Sequence, residues 1–210
     1  MALPFDDTTR RNIAERCAAF VRLPEADAAL PLKRAAVAIA LTPSDRGDVE
    51  TALLLTRRAA SLRTHRAQWA LPGGRCDAGE TPVQAALREL HEELALALSP
   101  DAVLGLLDDY PTRSGYLITP VVMWVDGTAV PVPNPDEVAS VYRVGLDAIA
   151  ADDAFDFTAI PESTGRVIRF HYHEGLIHAP TAALIYQFRE VLAGRDTRVD
   201  ALEQPVFAWK

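Results

Sequence analysis

The apolar positions of this 210-residue chain follow two rhythms. In the first, they recur every three to four residues. Over residues 82–94, Val83, Leu87, Leu90 and Leu94 fall within one narrow stripe of a helical wheel, which predicts an amphipathic helix with that stripe in the core. Its start is written in Thr81-Pro82-Val83-Gln84: Thr81 is the N-cap, Pro82 opens the first turn, and Gln84 closes a capping box. Residues 8–22 repeat the rhythm through Ile13, Cys17, Phe20 and Val21, and residues 181–192 through Leu184, Ile185, Phe188 and Leu192. In the second rhythm, short apolar runs are bounded by turn formers. Residues 34–42, 51–57, 102–110, 116–125, 138–144 and 166–172 read this way as strands. The polar stretches 43–48, 112–115 and 151–165 are expected to be loops, and 24–33 a proline-bounded linker. At 210 residues one domain with a sizeable core is expected, and these strands and helices together read as an α/β domain over residues 34–193. Residues 1–33 are expected to pack on it as a helix and linker, and 194–210 to form a tail. Val206-Phe207-Ala208-Trp209 is apolar and is expected to dock on the domain or on a second subunit, so a homodimer stays open.

Charge and composition narrow the partners. No apolar run reaches the ~18 residues of a membrane-spanning helix, so no membrane partner is expected. The opening MALPFDDTTRR lacks the basic-then-apolar order of a signal peptide, which leads to the expectation of a cytoplasmic protein. A net charge of -8 and a pI near 5.1 argue against a general nucleic-acid surface. They leave room for one anionic substrate, because a local cluster of arginines or a bound cation reverses the field. Cys17 and Cys76 show neither metal-ligand spacing nor a disulfide framework.

Candidate chemistry gathers on the 82–94 helix. Glu89, Glu92 and Glu93 stand at i, i+3 and i+4, and are expected to share a face well away from the apolar stripe. Three neighbouring carboxylates repel one another, and a hard divalent cation such as Mg²⁺ or Mn²⁺ would relieve them. Taken alone, such a cluster is more often a solvated acidic face. The Gly73-Gly74 turn ahead of the helix, Glu80 and Arg88 tip that balance. Upstream lies a basic cluster of Arg57, Arg58, Arg63, His65 and Arg66. Guanidinium forks fit phosphate oxygens, though a solvated loop is the plainer reading. His171 and His173 alternate along one strand and, with no third ligand at a telling spacing, read as structural.

Residues 74–96 resemble the Nudix box. Gly74, Glu80, Arg88-Glu89-Leu90 and Glu92-Glu93 match its pattern, and Ala95 stands where the box has glycine. A narrower resemblance, to the coenzyme A diphosphatase branch, rests on Leu54, Leu55, Thr56, Arg58, Ala59, Arg63, Pro72, Gly73 and Gly74. The segments 114–122 and 134–138 are also similar to that branch. The chain departs from it at Ala67, Leu71 and His178-Ala179. The resemblance implies the Nudix fold, a mixed β-sheet between α-helices. It implies Glu89, Glu92 and Glu93 as ligands of Mg²⁺ or Mn²⁺, Arg88 as the residue that holds the carboxylates, and Glu80 as structural. The proton acceptor is left open between Glu92, Glu93 and Glu137. Arg58, Arg63, Gly73 and Gly74 are the implied substrate contacts. The implied reaction splits coenzyme A or acyl-coenzyme A into 3′,5′-ADP and (acyl-)4′-phosphopantetheine. Two alternatives stand beside it: another nucleotide substrate such as ADP-ribose, NADH or a nucleoside triphosphate, and a weakly catalytic nucleotide-binding module, at which Ala95 hints.

Overall fold

The computed structural model describes residues 3–23, 32–45, 50–60, 68–173 and 175–205. Four helices are described: α1 (Asp7–Ala19), α2 (Pro82–Leu94), α3 (Leu146–Ala150) and α4 (Thr181–Leu192). The strands form two sheets. The larger contains β1 (Lys33–Pro43), β2 (Thr51–Arg58), β3 (Trp69–Ala70), β4 (Gly73–Arg75), β5 (Val103–Leu106), β6 (Tyr110–Pro111), β7 (Tyr116–Trp124) and β8 (Val138–Gly145). The smaller contains β9 (Phe155–Ile160), β10 (Ser163–Tyr172), β11 (Gly175–His178) and β12 (Leu202–Glu203).

β1 is the spine, and its sequence shows why. It is apolar on both faces, as a strand covered on both sides must be. Ala36, Ala38 and Ala40 meet α2, where small side chains let the helix lie close. Ile39 and Leu41 belong to the opposite core, with Phe188 and Ile185 of α4. One edge of β1 runs parallel to β7, from Lys33–Tyr116 to Leu41–Trp124. The other edge is shared. Its first half pairs with β4 (Ala35–Arg75, Val37–Gly73) and its second half with β2 (Leu41–Leu53, Pro43–Thr51). Two strands on one edge must diverge, so the sheet forks. The Ala38 N–H donates to the Pro72 carbonyl at 2.8 Å at the crotch of the fork. The arms are β2, extended by β3, and β4.

Several expectations change. Residues 151–165 are not a loop but largely the β9–β10 hairpin, because Phe155 and Phe157 alternate inward and Phe155 stacks on Phe170 at 4.8 Å. The expected strand over 102–110 is broken into β5 and β6. The break places Asp108 and Asp109 against Arg198 (2.8 Å) and Arg22 (2.9 Å). The tail is anchored as far as it is described: β12 pairs with β10, and the Tyr110 hydroxyl donates to the Leu202 carbonyl at 2.6 Å. Val21 is 73% exposed instead of buried, since α1 ends at Ala19. Most of the 24–33 linker, part of the 43–48 turn, and Val206–Trp209 lie outside the described residues.

Ala95 ends α2 at φ 55°, ψ 23°, in the left-handed region, with its N–H donating to the His91 carbonyl. A glycine would take that conformation without the strain of a Cβ. Ala95→Gly is therefore expected to raise stability by about 1 kcal/mol, read as a higher midpoint in urea unfolding. An unchanged or lowered midpoint would show that the cap is unstrained.

Candidate active site

α2 begins as its sequence directs. The Thr81 hydroxyl accepts from the Gln84 N–H at 3.3 Å, and the Gln84 carboxamide accepts from the Thr81 N–H at 2.9 Å. Leu90 and Leu94 are fully buried, together with Ala85 and Ala86, while Val83 and Leu87 lie at the margin. The buried stripe is thus rotated from the expected one. That rotation matters for the acids. Glu92 is exposed, Glu89 is half-buried, and Glu93 is only 2% exposed. The expectation that all three share one open face fails at Glu93, which points under β4 at the edge of the core.

Arg88 organises the group. Its Nε and Nη2 donate to the two oxygens of Glu80 at 2.9 and 3.0 Å, Nη1 to Glu89 and Glu92 at 2.9 Å each, and Nη2 also to the Arg75 carbonyl at 2.9 Å. The hydrogen bond from Arg88 holds the Glu80 carboxyl below its usual range. Burial pushes Glu89 upward against the pull of Arg88. Burial pushes Glu93 up to about 8, although the Arg58 charge and the Gly73 N–H both favour its ionised form. Arg58 Nη1 stands 3.6 Å from Glu93 Oε1. Glu89 and Glu137 add their negative charge to the same pressure on Glu93.

Glu137 arrives on a loop stitched at three points. The Val132 N–H donates to the Leu94 carbonyl, the Asn134 N–H to the Glu93 carbonyl, and the Ala59 N–H to the Glu137 carbonyl, each at 2.8 Å. The loop therefore ties the end of β2 to the end of α2. Gly74 completes the site: a Cβ there would lie 2.2 Å from Glu89 Oε1, so the carboxylate occupies room that only glycine leaves.

This donor set suits a hard divalent cation in type: carboxylate oxygens crowded until two of them resist ionisation. In the present arrangement the acids are turned to arginines. Among the described residues, no three acid, histidine or cysteine side chains converge as ligands. Arg58 and Arg88 take the place of positive charge.

On the other side of Gly73 and Gly74 the fork opens into a cleft of about 1440 Å³. Arg58, Trp69, Tyr142, Tyr172 and His178 line it. Trp69 packs edge-on to Tyr142 (4.7 Å) and Tyr172 (5.8 Å), with the Arg57 guanidinium 5.4 Å over its ring. Sequence reading missed this aromatic wall. Its rings come from β3, β8 and β10, and each looks like an ordinary strand residue. Arg63, His65, Arg66 and Ala67 lie outside the described residues. His171 pairs with Asp156, and His173 leaves the strand at φ 51° against Tyr172, so the two belong to separate contacts. A smaller groove of about 460 Å³ beside Phe5 and Trp124 holds none of the candidate residues.

Glu93 makes stability depend on pH. Its carboxyl titrates near 8 when folded and near the ordinary 4.5 when unfolded, so the folded chain holds the extra proton between those values. Stability from this group is greatest at the acidic end and is lost as pH rises towards 8. The metal-free melting temperature is expected to fall between about pH 6 and 8, the upper part of that window, and Mn²⁺ to restore it most at the alkaline end. A melting temperature flat across the range, with or without Mn²⁺, would contradict this.

The NUDIX domain family matches residues 32–162, more than half of the chain. A protein named uncharacterized Nudix hydrolase NudL, from Pectobacterium atrosepticum, is 35% identical over 151 residues, covering 68% of this chain and 76% of that one. The protein of the same name from Photorhabdus laumondii is 35% identical over 141 residues, covering 66% and 75%. Among solved structures, a MutT/nudix family protein from Enterococcus faecalis covers 90% of this chain and 73% of its own, with a TM-score of 0.51 at 19% identity, a likeness of fold.

Proposed function

The chain belongs to the Nudix hydrolases, enzymes that act on phosphoanhydride bonds and generally use divalent cations such as Mg²⁺ or Mn²⁺, and from that premise we propose that it hydrolyses the diphosphate bond of coenzyme A or acyl-coenzyme A. The products are 3′,5′-ADP and (acyl-)4′-phosphopantetheine. One observation carries this reading. Of the residues resembling the coenzyme A diphosphatase branch, those on β2 run to its last residue, Arg58, which lines the cleft and stands 3.6 Å from Glu93.

Glu89, Glu92 and Glu93 are the residues that would hold the cation. Once bound there, it supplies charge neutralisation at the diphosphate and a more acidic water. The remaining work belongs to the chain. Arg88 fixes Glu80, Glu89 and Glu92 in one constellation. Arg58 and the Gly73-Gly74 backbone of β4 receive the phosphates at the cleft mouth, and the aromatic wall lies beside the nucleotide. Water forms a new bond to one phosphorus as the bridging oxygen leaves, and its proton passes to a carboxylate of Glu92, Glu93 or Glu137.

A second reading, another nucleoside diphosphate derivative such as ADP-ribose or NADH, is favoured by Leu71 and His178. Both line the cleft at positions where the branch carries aromatic residues. The hint of a binding-only module weakens, since Ala95 adopts the backbone geometry that a glycine there would. Incubation with Mg²⁺ and a panel of coenzyme A, ADP-ribose, NADH and nucleoside triphosphates separates these. Release of 3′,5′-ADP from coenzyme A is the expected result. Turnover of ADP-ribose alone would overturn the proposal.

A further inference from the structure

Arg58 stands between two demands. On one side is Glu93, buried under β4. At 3.6 Å the contact is longer than a hydrogen bond, so the guanidinium favours the ionised form of Glu93 without gripping it. On the other side is the cleft, which Arg58 lines beside Gly73 and Gly74. The Nε–H of Arg58 is buried and has no hydrogen-bond partner among the described residues. A buried donor left unbonded is destabilising, so this side chain is poised to gain by moving to an acceptor. The backbone supports such a position. The β2–β8 register shifts between Arg57 and Arg58, and the next residue, Ala59, is tied to the Glu137 loop. Arg88 differs in each respect: its fork holds both oxygens of Glu80 at hydrogen-bond distance, together with Glu89, Glu92 and a carbonyl.

We propose that Arg58 is a displaceable counter-ion: in the cation-free protein it favours the ionised form of Glu93, it leaves when Glu93 turns to a divalent cation, and it then binds a phosphate of the substrate in the cleft. The inference rests on the reading of the α2 carboxylates as the cation site. It makes Arg58 a substrate-binding residue that couples cation and substrate binding, each favouring the other by the same factor. It also fixes an unusual sign. Removing an arginine that merely supports the site would weaken cation binding. Removing one that competes for Glu93 strengthens it. A dication feels the loss of a neighbouring positive charge twice as strongly as a proton does, so the gain survives any rise in proton affinity at Glu93.

The test is calorimetric titration of the intact protein with Mn²⁺ and with 3′,5′-ADP. Arg58→Gln is expected to bind Mn²⁺ about three- to tenfold tighter than wild type, and 3′,5′-ADP in saturating Mn²⁺ about tenfold or more weaker. Arg58→Lys keeps the charge and is expected to keep the wild-type Mn²⁺ affinity. In wild type, which needs no variant to fold, 3′,5′-ADP is expected to tighten Mn²⁺ binding. If the two ligands bind wild type independently, or Arg58→Gln binds Mn²⁺ no tighter, the role of Arg58 is overturned. The site reading then survives, provided that Glu93→Gln abolishes Mn²⁺ binding. If Mn²⁺ does not bind wild type at all, both fall.

Discussion

Glu93→Gln is expected to leave the fold intact and to lower kcat by about a thousandfold, measured as diphosphate hydrolysis at saturating Mg²⁺. The argument is one of shape against charge. Glutamine fills the same buried space under β4 and accepts the Gly73 N–H with its carbonyl oxygen, so packing is kept. It cannot supply an anionic oxygen to a cation, nor can it receive a proton. It also removes the group whose burial raises its own pKa to about 8, so the metal-free variant should be more stable than wild type at alkaline pH. A variant that is more stable yet nearly inactive separates a functional acid from a structural one. Glu92→Gln is expected to cost less, because Glu92 is exposed and, among the described residues, is held through Arg88. A loss smaller than about tenfold at Glu93 would remove it from the catalytic group.

The second large effect is a contrast between neighbouring glycines. A Cβ at Gly73 would stand 2.3 Å from the Ala36 carbonyl oxygen and 2.6 Å from the Val37 Cα, at φ 155°. Both obstacles are backbone of the central strand, which cannot give way. Gly73→Ala is expected to destabilise by about 3 kcal/mol or more, seen as a large fall in urea midpoint. At Gly74 the obstacle is the end of a side chain, Glu89 Oε1 at 2.2 Å. Glu89 can swing away, so Gly74→Ala is expected to cost about 1 kcal/mol or less of stability but about a hundredfold in kcat. Equal effects of the two substitutions on stability and on turnover would mean that the room left at Gly74 does not position Glu89.

Local signals were legible where they were strong. The Thr81 capping box and the periodicity of 82–94 give α2 its observed ends, and the apolar run at 34–42 marks a strand buried on both faces. The chemistry at Arg88, Glu80 and Glu89 lies within one short segment, so spacing alone brings it together. Other features are products of the fold. Which side of α2 is buried depends on β4 lying over it, and that moved Glu93 from an open face to the core edge. The β9–β10 hairpin hides in a polar composition, because its inward face is supplied by only Phe155, Phe157 and a few partners from β10. The aromatic wall needs the fork in β1 pairing to bring Trp69, Tyr142 and Tyr172 side by side, and no local pattern encodes that pairing.

Hydrolysis of coenzyme A followed against Mg²⁺ concentration, in wild type and in the Glu89→Gln, Glu93→Gln double variant, bears most directly on the central claim. Activity that is absent in chelator, rises with Mg²⁺ in wild type, and stays absent in the folded double variant is the predicted result. Hydrolysis that persists in chelator, or that the double variant retains at the same Mg²⁺ dependence, would contradict the assignment of these carboxylates as the seat of catalysis.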